Sequence, residues 1–581
     1  MPHHPVVDAA VEMTTRDGVT LVADVHRPAG TGRWPTLLHR TPYDRTDPTL
    51  VSAIVADPLW LARQGFAVVV QDVRGRFASG GELDFAVQEY DDGYDAVEWA
   101  AAQPWSDGRV GIYGSSYHAI STLNAVAAGP PHLAAALAMI GGADMAATSW
   151  PGGTFELGFL ALYSLGQTID TIARLDVDEV VKADLRRRVV AAASDPAATV
   201  ATLPLTGVDV LDDPVLGRAW QERLARGPVS DGWDRRHVHA DPSRVRVPLL
   251  QVAAYRDFLS PSMFRLAEAL SGSAAGHRLV AGPWAHGGVY TGHTGARVLP
   301  GTPGGVGAWG PLIAAWFDVH LRGGDGSAFP AGARWLAGEP VHYYVGGENR
   351  WATTSSWPPP TDTSTWWLDS DGDAAAGGGR LVATVPDGPA DSFGADPRDP
   401  APTVGGVMTA PPLGPDGIQD QRVLEGRDDV LIYTGEPLAA PVTVAGVPRV
   451  VVHLESTAPD ADVCVTLADV EPDGFAVAVA EGAVRTRYRH GGTADWLVRG
   501  EPVEVTVALH DTAHTFRTGH RVRVQIAGAS WPRRSRNLHT TTVPELGTLD
   551  EAVVPRHTVH HDAAHPSRLE VGGSGPSSGP L

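Results

Sequence analysis

The stretch Arg109-Val-Gly-Ile-Tyr-Gly-Ser-Ser-Tyr-His-Ala-Ile-Ser-Thr-Leu-Asn-Ala-Val126 constrains the fold of this 581-residue chain more than any other. The pattern predicts a short strand over Arg109 to Tyr113, a turn at Gly114-Ser-Ser116, and a helix from Tyr117 to a Gly129-Pro130 stop. A serine raised on such a strand-to-helix turn exposes its hydroxyl above a sheet, and the next backbone N–H stands at a helix N-terminus. Ser116 is the candidate rather than Ser115, because only Ser116 has glycine two residues before it, where a tight turn needs a residue without Cβ. Two residues after it stands His118 where the full nucleophile elbow has glycine, so an ordinary βα turn with a serine helix cap is the alternative.

The runs around this stretch alternate. Val19 to His26, Pro35 to His39 and Phe66 to Gln71 are predicted strands, with helices near Leu59 to Arg63 and over Glu89 to Ala102, and a further strand over Leu133 to Ile140. Strands alternating with helices imply a mostly parallel sheet covered on both sides. From 143 to 244 the signals become helical, as in Phe155 to Thr168 and Val177 to Ala193, which predicts an insertion over the carboxyl ends of the strands, a lid or one wall of a pocket. The sheet resumes with Pro248 to Ala254 and His277 to Ala281, separated by a helix over Pro261 to Leu270, and a helix over Gly307 to Arg322 closes it. Beyond Pro340 short β-rich runs dominate, among them Val341 to Val345, Val450 to Leu454, Val463 to Asp469, Phe475 to Ala480 and Arg521 to Ile526, with turns such as Glu471-Pro-Asp-Gly474. That composition predicts a β-sandwich of jelly-roll type. The expected organisation is therefore a sheet-and-helix unit in two parts, 1–142 and 245–340, a helical insertion at 143–244, a β unit at 341–571 and a mobile tail at 572–581.

A net charge of −22 argues against nucleic-acid binding, since phosphates would be repelled. The single cysteine, Cys464, excludes internal disulfides and a four-cysteine metal site and fits a reducing compartment. The start has no basic region followed by an apolar core, and no apolar run is long enough to span a bilayer, so the expectation is a soluble, cytoplasmic protein without a membrane partner.

Acyl transfer by serine requires a base to take the hydroxyl proton, an acid to hold that base in one tautomer, and donors for the oxyanion. In the α/β-hydrolase arrangement the partners follow in the order Ser, Asp, His, each on a loop after a strand. Ser116, Asp257 in Tyr255-Arg-Asp-Phe-Leu259, and His286 in Gly282-Pro-Trp-Ala-His286 meet both conditions. With 23 histidines and many aspartates in the chain, a helix-capping aspartate and a surface histidine remain the alternative at those positions.

These segments, together with Arg40-Thr-Pro-Tyr43-Asp, Gln71-Asp-Val-Arg-Gly-Arg-Phe-Ala-Ser79, Asp469-Val-Glu-Pro-Asp-Gly, Arg485-Thr-Arg-Tyr-Arg and Gly519-His-Arg-Val-Arg-Val-Gln, resemble the cocaine esterase (CocE/NonD) family of serine hydrolases, relatives of X-prolyl dipeptidyl peptidases, from about residue 10 to 570. The resemblance implies an α/β-hydrolase domain with a helical cap insertion and a C-terminal jelly roll. It implies Ser116 as nucleophile, His286 as base and Asp257 as its orienter, with the Tyr43 hydroxyl and the Tyr117 N–H as oxyanion donors, no cofactor, and a small-molecule ester as substrate. Trp150 matches an aromatic of the family's acyl pocket, Leu259 stands where a larger aromatic occurs, and Tyr163 is set against another pocket aromatic. The chain departs from the family in having Ala119 at the glycine of Ser-Tyr-x-Gly, and Tyr-Arg-Asp where Trp-Tyr-Asp is common. His118 is read first as a helix-surface histidine and second as a pocket residue that meets the substrate.

The resulting expectation is a serine carboxylesterase for a small apolar or aromatic acyl group. Its alternatives are an X-prolyl dipeptidyl peptidase or an amino-acid ester or β-lactam acylase, for which a cap acid such as Glu156 would hold an ammonium, an acyltransferase, and a non-catalytic binding protein. His557, His560, His561 and His565 lack a carboxylate clearly placed to complete a site, so no metal is assigned, and His237-Val-His239 is read as a loop. The oligomeric state is left open.

Overall fold

The computed structural model describes residues 4–49, 55–229, 233, 241–273, 276–305 and 307–572; the pair His237 and His239 and the tail after 572 lie outside these. A ten-stranded sheet is built from β1 (Pro5–Thr14), β2 (Thr20–Pro28), β3 (Trp34–Thr41), β4 (Ala67–Asp72), β5 (Ser106–Ser115), β6 (Leu133–Met139), β7 (Leu249–Arg256), β8 (Arg278–Ala285), β9 (Val341–Val345) and β10 (Arg350–Thr354), in the spatial order β1-β2-β4-β3-β5-β6-β7-β8-β9-β10. From β4 to β9 every neighbouring pair is parallel, and antiparallel strands close both edges.

Alternation along the strands sorts side chains into two cores. Val69, Val110, Ile112, Ala136, Ala138 and Ala253 face one core with Ala96 and Val97 of α2 (Glu89–Ala101) and Leu123 and Val126 of α3 (Tyr117–Ala128). Val68, Val70, Tyr113, Leu137, Leu250, Val252 and Val280 face the other with Leu61 of α1 (Pro58–Arg63), Ile313 and Trp316. Burial on both faces is why these strands read as nearly continuous apolar runs. Helices α2 and α3 pack backbone to backbone, because a Cβ on Gly93 would lie 2.8 Å from the Cβ of Ala125.

Between β6 and β7 the chain is helical, its longest members being Leu157–Arg174 and Glu179–Ser194. Their core of Trp150, Phe155, Leu157, Leu160, Leu165 and Trp220 includes Tyr117 and Ile120 from the first turns of α3, so this layer is seated directly above the serine turn. Thirteen strands between Ser364 and Val571 form the C-terminal β layer, around Leu431, Val452, Val465, Val505, Val524 and Ile526. Val341–Val345 is a strand, but it pairs in parallel with β8, Leu279 opposite Val341, so it completes the first sheet and the change of sheet falls after Thr354. A β-rich run carries no signal of which partner it will take.

Buried arginines join the layers. Arg256, next to Asp257, donates to the carbonyls of Pro283 and, in the C-terminal layer, Ala478. Arg533 pairs with Glu156 of the helical layer (Nε to Oε1, 2.9 Å) and with Glu481.

Candidate active site

β5 ends at Ser115 and α3 begins at Tyr117, leaving Ser116 alone to make the turn, at φ 57° and ψ −123°. Positive φ in a residue with a Cβ is strained, and it persists here because both flanks are fixed. The Ser116 N–H donates to Met139 O at 3.0 Å, and a Cβ on Gly114 would lie 2.3 Å from the carbonyl of His118, so only glycine lets α3 close over the strand end. On the other side Ala119 lies where a Cβ on Gly141 would come within 2.6 Å of its own Cβ; alanine fits because the facing residue has no side chain.

The Ser116 hydroxyl lies 3.0 Å from Nε2 of His286, whose Nδ1 lies 2.6 Å from Oδ1 of Asp257. A carboxylate only accepts, so Nδ1 carries the proton and Nε2 is left to accept from the serine. Asp257 is fully buried, and its Oδ2 accepts from Ser260 Oγ at 2.6 Å. Ser115 is excluded from this relay: it is buried, and its hydroxyl bonds Tyr290 OH at 2.6 Å.

Tyr117 follows the serine, and the Tyr43 ring stands edge-on to the rings of Tyr117 and His118, at 6.5 Å and 5.2 Å. The Tyr117 N–H is in the first turn of α3, where N–H groups have no intrahelical acceptor, and its phenol donates to Glu89 Oε1 at 3.1 Å, over a buried Arg40–Glu89 ion pair. The Tyr43 phenol has Tyr163 OH as a partner at 3.5 Å, the limit of a hydrogen bond. Burial, with Tyr163 beside it, pushes the Tyr43 phenol well above its ordinary pKa, so it is a neutral donor at all working pH. The loop carrying it is pinned by Arg76 Nε on Pro42 O at 3.2 Å and by Asp72 on the backbone and side chain of Arg45, which explains the charged residues of the two flanking motifs.

His118 corrects the helix-surface reading. It is 1% exposed, Nδ1 lies 2.8 Å from Ser115 O and Nε2 lies 3.0 Å from Thr41 Oγ1. A carbonyl only accepts, so Nδ1 is protonated and Nε2 accepts from the threonine hydroxyl, which in turn accepts the Tyr43 N–H at 3.1 Å. Burial and the neighbouring His39 ring, stacked at 4.4 Å, push the His118 pKa well below 6.5. The neutral ring therefore ties the serine turn to the backbone of Tyr43. Helix α3 is buried around its whole circumference, so no polar face existed for His118 to occupy.

An aromatic wall closes the site. Phe258 and Phe159 lie 5.5 Å and 6.3 Å from the His286 ring, and Phe159 is stacked on Tyr163 at 5.4 Å. Leu259 packs one layer behind, with Phe258, Phe159 and Val407. Trp150 is 2% exposed in the helical core, its indole N–H on Arg223 O at 3.3 Å; with Phe258 and Leu259 it lines a cavity of about 410 Å³ that reaches His510 and Arg534 rather than Ser116. Glu156 is 1% exposed and held by Arg533, and so is not free to receive a substrate ammonium. Sequence reasoning passed over Thr41, Phe159, Ser260 and Tyr290; only Ser260, three residues after Asp257 and just before a proline, carried a local signal, that of a loop hydroxyl at a helix start.

Residues 17–288 match the model of the X-Pro dipeptidyl-peptidase (S15) family, and 333–570 that of the X-Pro dipeptidyl-peptidase C-terminal non-catalytic domain. Cocaine esterase of Rhodococcus sp. (strain MB1 Bresler) is 33% identical over 97% of this chain and 98% of that one. The chain belongs to the cocaine esterase family of serine hydrolases. Family membership makes it an α/β-hydrolase with a C-terminal all-β domain, acting on carboxylic esters. The same fold occurs in an α-amino acid ester hydrolase (TM-score 0.79, 23% identity, 98% of this chain and 97% of that one) and in an aminopeptidase from a Thaumarchaeota archaeon (TM-score 0.78, 24% identity, 97% and 96%). No described helix is long and apolar enough to cross a membrane.

Proposed function

We propose that the chain is a serine carboxylesterase for small apolar or aromatic acyl esters, working through an acyl-enzyme on Ser116. The observation that carries this reading is the continuous contact from the Ser116 hydroxyl through both nitrogens of His286 to Asp257. His286 Nε2 takes the hydroxyl proton as Ser116 Oγ attacks the carbonyl carbon, while Asp257 stabilises the imidazolium. The Tyr43 hydroxyl and Tyr117 N–H face the oxygen that becomes negative; a phenol suits this because it donates without carrying charge in the ground state. His286 then passes its proton to the leaving alcohol. Water, activated by the same nitrogen, releases the acid.

Phe159, Tyr163 and Phe258 supply an apolar surface beside the imidazole, which favours a flat or aliphatic acyl group. The engagement of Glu156 with Arg533 counts against the peptidase and acylase alternatives in the form that relied on that residue. The test pairs a fluorophosphonate probe, with the labelled peptide sequenced, with hydrolysis of p-nitrophenyl esters from acetyl to benzoyl against Xaa-Pro anilides. Label on Ser116 and a preference for esters over anilides is the expected result. Label elsewhere, or faster anilide cleavage, would overturn the proposal.

A further inference from the structure

The C-terminal histidines separate by strand alternation. His557 and His561 point inward and are fully buried, His561 on Asp391 at 3.1 Å. His560, the last residue of the strand Arg556–His560, points outward, and a turn through Asp562 brings His565 back beside it, with ring centroids 5.5 Å apart. One ligand atom from each of His560, Asp562 and His565 lies within 4.8 Å of the others. The carboxylate missing from the linear pattern is Asp562 itself, within the histidine run.

Three features separate this group from an ordinary polar patch. Oδ1 of Asp562 accepts the N–H groups of Ala564 and His565 at 2.7 and 2.9 Å, which fixes the carboxylate beside the imidazole, His565 Nδ1 lying 3.2 Å from Oδ1 and 3.4 Å from Oδ2. Glu455 Oε2 lies 3.1 Å from Nε2 of His560, the carboxylate–histidine contact that orients a ligating ring. Directly across the strands from His560 stands His453, whose ring is 5.7 Å from that of His565 and whose Nε2 makes no hydrogen bond, Glu504 Oε2 lying 3.7 Å away.

We propose that His560, Asp562 and His565 bind a divalent first-row transition ion, zinc being the best match to two imidazoles and one carboxylate, with Glu455 as the orienting group. Tetrahedral ligands at zinc lie about 3.3 Å apart, the spacing Asp562 Oδ2 and His565 Nδ1 already have at 3.4 Å, so the remaining closure is between that pair and His560, whose ligand atom lies within 4.8 Å of both. Binding requires His565 to present an unprotonated ring nitrogen in place of its contact with Asp562. The ion would tie the end of one strand and its following turn to the neighbouring strand Arg449–Ser456, which carries Glu455.

The full chain is stripped with chelator and titrated with zinc chloride by calorimetry, with cobalt(II) absorption as a reporter of tetrahedral geometry. One zinc per chain is expected, with a rise in Tm and an unchanged rate of ester hydrolysis. The His560→Ala, His565→Ala double variant should bind at least 100-fold more weakly and lose the cobalt band. Glu455→Gln should weaken binding by about 10- to 100-fold. Asp562→Asn keeps the oxygen that caps the turn, so loss of zinc in a variant with unaltered Tm reports ligation rather than folding. Equal zinc uptake by the wild type and the double variant, or no stoichiometric uptake by the wild type, would refute the site.

Discussion

Replacing Tyr43 by Phe isolates one oxyanion donor at almost no structural cost. The ring keeps its edge contacts with Tyr117 at 6.5 Å and His118 at 5.2 Å, and the hydroxyl that disappears has Tyr163 OH at 3.5 Å as its hydrogen-bond partner. A contact at that limit contributes at most about 0.5–1 kcal/mol to the fold. In the transition state the same hydroxyl faces full negative charge, and loss of one such donor costs about 2.7–4 kcal/mol, or roughly 10²- to 10³-fold in kcat. The carbonyl of the bound ester carries little charge, so KM should move by no more than about three-fold, since only transition-state interactions raise kcat. The assay is steady-state hydrolysis of a p-nitrophenyl ester, with thermal unfolding in parallel. Tyr163→Phe is the control: it removes the acceptor that competes for the Tyr43 proton, so kcat should hold or rise. Because the Tyr43 pKa is pushed far up by burial, the ratio of wild type to variant should be flat with pH through the neutral range. A Tyr43→Phe variant that keeps more than a third of wild-type kcat, or a Tyr163→Phe variant that loses as much, would refute the assignment of Tyr43.

Ser116→Ala should lower turnover by about a million-fold, as removal of a triad nucleophile does, whereas Ser115→Ala, which loses only the bond to Tyr290, should stay within about ten-fold; the reverse order in an ester assay would transfer the nucleophile to Ser115. Thr41→Val leaves His118 Nε2 and the Tyr43 N–H without their partner; the expected result is about 1–3 kcal/mol of lost stability by denaturant unfolding and a smaller loss of kcat than Tyr43→Phe causes, and unchanged stability would remove Thr41 from the account. Burial pushes the Asp511 carboxyl from 3.8 up to about 7 against the Trp357 indole N–H, so the native state holds this proton more tightly than the unfolded chain. Stability linked to it is present below about pH 4 and lost as pH rises towards 7, about 4 kcal/mol in all if 1.36 kcal/mol accompanies each pH unit. Asp511→Asn should therefore raise Tm at pH 8 and leave it nearly unchanged at pH 4; an equal effect at both would show that Asp511 titrates normally.

The period of hydrophobic residues and the turn chemistry made most of the first sheet legible, and the rule that functional loops follow strand ends picked out Asp257 and His286 among many candidates. Long-range pairing was not legible. Glu156 looked like an available acid because its partner, Arg533, lies in the other half of the chain. Which cavity Trp150 would line was not legible either: its ring is held by Phe155 at 4.7 Å and borders the space that reaches His510 and Arg534. His118 was misjudged as a surface residue because the segments around α3 meet it through Gly93, Gly114 and Gly141, which are too small to announce how closely they pack. β1 went unread because its alternation is interrupted where the register shifts between Asp8 and Val11. The juxtaposition of Asp562 with His560 and His565 escaped because a carboxylate inside a histidine run counts for little until a turn folds it back.

Arg256 adjoins Asp257 in the chain, yet one arm of its guanidinium rests on Ala478, more than two hundred residues away. The β half is thus part of the mounting of the general-base machinery rather than an appendage beside it. A truncation before Ser364 would take away one of the two carbonyls that Arg256 donates to, at the strand end next to Asp257, and would leave Glu156 of the helical layer without its counter-ion. Engineers who wish to shorten or shuffle such enzymes should treat the two halves as a single inheritable unit.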